Sequence, residues 1–157
     1  MTGVSAAQNA EVSIFAEGLF SQHPTGGLGG RLGFRMLQSV DLEGEVVREF
    51  HSETFSTAPG QTFFTNGYQF LAGPRLRLPV LHLFATGKAG VLRSTTHPED
   101  ASVPSSPAVT SAAVYIGGGT EIGESVGLRL EAGDELLLKS GLQRSNVRVS
   151  GGVFVRF

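Results

Sequence analysis

The sequence predicts an all-β protein, an antiparallel jelly-roll-like sandwich or barrel with a Gly-rich N-terminal arm. Three observations predict it. Side chains alternate between apolar and polar at period two over several short runs. An Asn-Gly dipeptide sits between aromatic and β-branched residues. Turn chemistry returns at spacings of about ten residues, the pattern of sandwiches and barrels. The 157 residues fit one domain. The expected division is an arm or extension over residues 1–29 and a single β-sandwich or jelly-roll domain over residues 30–157.

In chain order, Ser5-Ala6-Ala7-Gln8 reads as a capping box, and Val12, Phe15, Ala16 and Leu19 fall at helical spacing, so helix and strand both stay open there. Ser21 to Gly30, with Pro24 and four glycines, reads as a loop or flexible arm. Strands are expected over Arg31–Gln38 and Glu45–Phe50, with a polar turn at Asp41–Gly44. Asn66-Gly67 inside Phe63–Phe70 predicts a tight type I′ hairpin. Arg75–Phe84 alternates cleanly and then turns apolar on both faces, with Pro79 restricting it to an edge, a bulge or an outward-facing donor. Gly87-Lys88-Ala89-Gly90 predicts a second hairpin before Val91–Thr96. After the Pro-rich stretch His97–Pro107, strands are expected over Val109–Ile116, Leu128–Leu130, Glu135–Lys139, Val147–Val149 and Gly152–Phe157, with a turn at Glu131–Asp134. No repeat of solenoid or propeller period is visible.

Composition removes several classes. With 40% hydrophobic and 17% charged residues, the chain is not disordered as a whole. The absence of cysteine removes disulfides, thiolate nucleophiles, zinc ribbons and iron–sulfur clusters. A formal charge of -2 argues against nucleic acid as a partner. No apolar run approaches the roughly 18 residues of a membrane-crossing helix, and no basic segment followed by an apolar one marks a signal peptide. No membrane contact is therefore expected.

Candidate chemistry is sparse. His23, His51, His82 and His97 show no metal-ligand spacing, and His82 reads as a strand imidazole satisfied by a carbonyl. Glu99 and Asp100 read as a solvated loop rather than a cation site. The glycine clusters at residues 26–30 and 117–119 lack P-loop or dinucleotide order and read as turn or arm glycines. No G-x-S-x-G element is present. Arginine supplies 10 of the 12 basic residues, and Arg75 and Arg77 point to one side of their strand, as a subunit contact or a solvated sheet face. The 11 phenylalanines, without tryptophan, read as core filling.

The stretch Val114-Tyr115-Ile116-Gly117-Gly118, followed by Leu128 through Gly133-Asp134 and the apolar Leu136-Leu137-Leu138, resembles small β-domains of bacteriophage virion proteins. The tail Val153-Phe154-Val155-Arg156-Phe157 is similar in outline to the last strands of tumour-necrosis-factor-like and C1q-like jelly rolls. These resemblances imply a non-enzymatic virion structural protein, a capsid-associated or decoration protein. Its expected partners are the major capsid protein and itself, with a trimer favoured. Arg75, Arg77, Arg156 and Phe157 are the candidate interface residues. No cofactor is implied. A receptor- or glycan-binding head of a phage fibre and a cupin-like metal-dependent enzyme are the alternative readings.

Overall fold

Eight strands follow one another along the chain: β1 (Ala10–Phe20), β2 (Thr25–Leu37), β3 (Val40–Phe55), β4 (Gln61–Leu78), β5 (Leu83–Pro98), β6 (Val109–Gly123), β7 (Val126–Lys139) and β8 (Leu142–Arg156). The computed structural model describes residues 10–21, 24–55, 61–78, 82–98, 107–139 and 142–157. Each strand pairs antiparallel with the next in sequence, and β1 pairs with β8, so one sheet closes into a barrel. Closure leaves no unpaired edge, the usual site of edge-to-edge aggregation. Even the last residue takes part: the Phe157 N–H donates to the Ala10 carbonyl, and the Ala10 N–H donates to the Phe157 carbonyl.

The all-β, antiparallel expectation holds, and its finer form does not. A jelly roll needs strands that cross between two sheets, whereas here every neighbour in the sheet is the next strand in sequence. The arm expected over residues 1–29 is likewise corrected from Ala10 on, the preceding residues lying outside those described. Ala10–Phe20 is β1, and Gly26, Gly27, Gly29 and Gly30 lie in register with Phe50, Glu49, Val47 and Val46 inside β2. Ser5–Gln8 lies outside the described residues.

Several expected turns are also strand interior. Asn66-Gly67 sits inside β4, Gly87–Gly90 inside β5, Gly117–Gly119 inside β6, Glu131–Asp134 inside β7 and Asp41–Gly44 inside β3. The reversal between β2 and β3 falls at Gln38-Ser39 instead. Local turn preference loses because long ladders pair the backbone groups that a turn would leave to water: β3 and β4 stay in register from Phe55↔Gln61 to Val40↔Leu76. His82 is in a turn rather than a strand, with φ 55°. Pro79, Val80, Leu81, His23, Glu99 and Asp100 lie outside the described residues.

Glycine has a packing role in the interior. A Cβ added at Gly29 would stand 2.5 Å from Phe15 Cζ, and one added at Gly119 would stand 2.8 Å from Phe84 Cζ. Each ring reaches the neighbouring strand in space that only glycine leaves open.

Candidate functional site: a charged lumen inside an apolar wall

Period two divides each strand into two faces, and their polarity is the reverse of a soluble barrel's. On β3 the inward residues are Asp41, Glu43, Glu45, Val47 and Glu49, while Leu42, Val46 and Phe50 are exposed. On β8 the inward residues include Asn146, Arg148 and Ser150, and Val147, Val149, Val153, Val155 and Phe157 face out. The fully buried side chains are led by Arg75, Arg129 and Arg148.

The lumen charges form connected layers. Toward the end that carries Gln38-Ser39, Ala10 and Phe157, the Arg75 guanidinium lies 2.8 Å from Glu11, 2.7 Å from Asp41, 2.8 Å from Glu121 and 3.2 Å from Glu43. Arg77 donates to Asp41 at 2.5 Å, and Arg156 pairs with Glu11 at 2.7 Å and with Glu121. Above them Arg129 bridges Glu43 at 2.5 Å and Glu131 at 2.7 Å. Lys88 holds Glu43 at 2.5 Å and Glu45 at 2.6 Å. Arg31 bonds Glu45 at 2.8 Å and the Ser150 hydroxyl at 3.0 Å. Farther along, Arg148 stands 2.6 Å from Glu17 and 2.7 Å from Glu45. Burying so many ions is tolerable because the arginines, Lys88 and most of the carboxylates meet opposite charges at short range; Glu49 is buried without such a partner among the described residues.

Aromatic rings complete the filling. Arg31 lies 3.7 Å from the Phe15 ring centroid, Arg129 4.3 Å from Phe84, Arg156 4.1 Å from Phe154 and Arg148 4.9 Å from Tyr115. These are cation–π contacts among largely buried side chains. Leu71, Ala113 and Tyr115 pack together in the same interior. The barrel thus carries a plug built from its own side chains.

Arg75, Arg77 and Arg156 come together inside this lumen, where their carboxylate partners belong to the same chain. Phe157 is apart from them, on the outer wall and 65% exposed. Sequence reasoning missed Glu11, Glu43, Glu45, Lys88, Arg129, Glu131 and Arg148. Their signal was the run Asp41, Glu43, Glu45 at alternate positions, which places three carboxylates on one strand face opposite Arg75 and Arg77 on another.

On the outside, from Val147 to Phe157, the outward positions of β8 are uncharged. At a rise of about 3.3 Å per residue and a tilt of about 40° they span roughly 25 Å along the barrel axis, the height of a lipid-facing band. Exposed aromatics flank it: Phe34 and Phe157 toward one end, Phe20, Phe50 and Tyr68 toward the other. A groove of about 690 Å³ in the wall is lined by Gly44, Ala72, Ile14, Leu32, Val46 and Phe70 among others. Among the described residues no helix is long and apolar enough to cross a membrane, which says nothing of a β-barrel.

No protein-family model matches the sequence, and no curated protein sequence matches it. Solved structures do. Ail, the attachment invasion locus protein of Yersinia pestis, solved in complex with the heparin analogue sucrose octasulfate, superposes with a TM-score of 0.65 at 15% identity, over 95% of this chain and 97% of that one. Neisserial surface protein A gives 0.63 at 14% identity, over 94% and 96%. The N-terminal β-barrel domain of Pseudomonas aeruginosa OprF gives 0.60 at 16% identity, over 96% and 98%. At these identities the likeness is one of fold, the closed eight-stranded barrel of the outer-membrane type.

The virion readings fall with this finding. The likeness to phage virion proteins and to jelly rolls rested on short strand-and-turn patterns that a meander barrel also contains, and the whole-chain fold matches outer-membrane barrels instead. Capsid location, capsid partners and a fibre head go with it. The expectation of no membrane contact is overturned as well, because it tested only for helices. The cupin-like alternative needs converging ligands, and among the described residues no group of three His, Cys, Asp or Glu is placed to hold a metal ion.

Proposed function

We propose that this chain is an integral β-barrel of a bacterial outer membrane, a closed and non-enzymatic anchor that holds its loop-end connections at the membrane surface. The observation that carries this reading is the inverted polarity, with ion pairs such as Arg75–Asp41 fully enclosed and large apolar side chains such as Ile14, Leu32 and Val149 facing out. In water, an apolar wall of this extent is an aggregation liability; in hydrocarbon it is the favoured surface. The connections Gln38-Ser39 and Glu124-Ser125 are two residues long, while residues 99–108 join β5 to β6 at the opposite end. Short turns on the periplasmic side and longer connections outside are the usual arrangement of such barrels.

The lumen supports an anchor rather than a pore, since Arg75, Arg129 and Arg148 are at most 1% exposed within it. The test dilutes urea-unfolded chain into preformed phospholipid vesicles. Expected are a strand-type circular dichroism spectrum, a heat-sensitive shift in gel mobility that needs lipid, and no steady conductance steps in planar bilayers. A chain that folds to a soluble species without lipid contradicts the membrane reading, and regular open-channel steps contradict the closed lumen.

A further inference from the structure

At one edge of the apolar wall the pattern of uncharged outward residues breaks. Arg48 on β3, Tyr68 on β4 and Arg93 on β5 lie in a single hydrogen-bonding row, Arg48 opposite Tyr68 and Tyr68 opposite Arg93. All three side chains are exposed and face outward. Directly opposed residues stand about 5 Å apart at Cα, so the two arginines flank the tyrosine within roughly 10 Å of each other. The Arg48 guanidinium lies 5.0 Å from the Phe50 ring centroid and 5.8 Å from that of Tyr68, held against the wall rather than extended away from it.

Neither Arg48 nor Arg93 forms an ion pair among the described residues, in a molecule whose lumen cations are all paired. The one outward carboxylate on the described strands, Asp134 on β7, is across the barrel and accepts a hydrogen bond from Ser145 at 2.5 Å. The row sits in the loop-end half of β3, β4 and β5, beside the aromatics Phe20 and Phe50 that border the apolar band.

We propose that Arg48, Tyr68 and Arg93 form a binding site for the phosphate of an anionic membrane lipid in the leaflet on the loop side; this rests on the membrane reading above. Two guanidinium forks supply five donors each, a geometry matched to phosphate oxygens, and the Tyr68 hydroxyl supplies one more between them. The lipid is favoured over a soluble anion or an acidic protein because the row opens sideways, onto the wall that meets the bilayer. Its acyl chains then lie on the adjoining surface of Phe70 and Val91, which follow Tyr68 and Arg93 toward the middle of the wall.

The test is native mass spectrometry of the folded full chain released from detergent micelles that contain phosphatidic acid or phosphatidylcholine. Wild type is expected to retain phosphatidic acid in preference to phosphatidylcholine. The double variant Arg48→Gln/Arg93→Gln should lower that retention at least tenfold, Arg48→Lys/Arg93→Lys should keep part of it, and Arg144→Gln, an exposed arginine on β8, should leave it unchanged. Equal retention by wild type and the glutamine variant overturns the site. So does complete displacement of the lipid by millimolar inorganic phosphate, which would mark a free-anion site. Wild type and glutamine variant are both checked for the heat-sensitive gel shift in vesicles. If wild type lacks it, the membrane reading itself has failed, an outcome distinct from loss of lipid selectivity in a properly inserted barrel.

Discussion

Replacing Arg75 with methionine is expected to destabilise the folded barrel by about 3–5 kcal/mol, seen as a lower midpoint of urea unfolding in phospholipid vesicles. The side chain is 0% exposed and stands within 3.2 Å of four carboxylates, those of Glu11, Asp41, Glu43 and Glu121. Removing the guanidinium leaves four carboxylates facing one another where none is more than 9% exposed. Arg77 and Arg156 remain near Asp41, Glu11 and Glu121, yet both are engaged there already. The penalty is therefore mostly that of uncompensated charge rather than of lost packing. Adding Glu11→Gln to Arg75→Met should recover part of the loss, because it removes one of the stranded charges. An unaltered midpoint for the single variant would mean that the lumen is wet at this level.

A charge placed on the outer wall should be nearly as costly, and the size of that cost distinguishes a bilayer from water. Leu130 on β7 is 58% exposed, between Leu128 and Ala132 on the outward face. On a water-soluble barrel, Leu130→Arg is a surface substitution within roughly 0.5 kcal/mol of neutral. In a bilayer the same change puts a guanidinium near mid-depth of the apolar band, at a cost of about 2–4 kcal/mol. Vesicle unfolding measurements on Leu130→Arg beside wild type read the difference directly. Arg48 and Arg93 show where the wall accepts arginine, at its loop-end margin.

The strand class of this molecule was legible in the sequence, and its inside was not. Alternation over Val147–Val149 and Gly152–Phe157 identifies a strand, but period two is unchanged when the faces are exchanged. Burying the apolar face is the right choice in water and the wrong one for this wall. The segmentation failed for a related reason. Asn66-Gly67 and Gly87–Gly90 carry strong turn chemistry, yet β4 and β5 run through them for 18 and 16 residues. Strands of soluble sandwiches usually run to about ten residues at most, so turn chemistry reads as a turn where a long barrel strand in fact continues. The glycines near residues 26–30 misled similarly: Gly29 makes room for the ring of Phe15. What could be read correctly was the shared face of Arg75 and Arg77, since side-chain alternation alone dictates it. Asp41 faces them from the adjacent strand β3, but Glu11 on β1 and Glu121 on β6 could not be read, because they reach Arg75 only after the sheet has closed.

The inverted polarity is tested most directly by a nitroxide scan along β8. The chain contains no cysteine, so single-cysteine labels are unambiguous. Labels at Val149 and Val153, in vesicles, should relax strongly with oxygen and scarcely with an aqueous nickel chelate, because they stand in hydrocarbon. Labels at Asn146 and Ser150, which face the packed lumen, should be poorly accessible to both. Strong relaxation by the nickel chelate at Val149 and Val153 would place that wall in water and contradict the account.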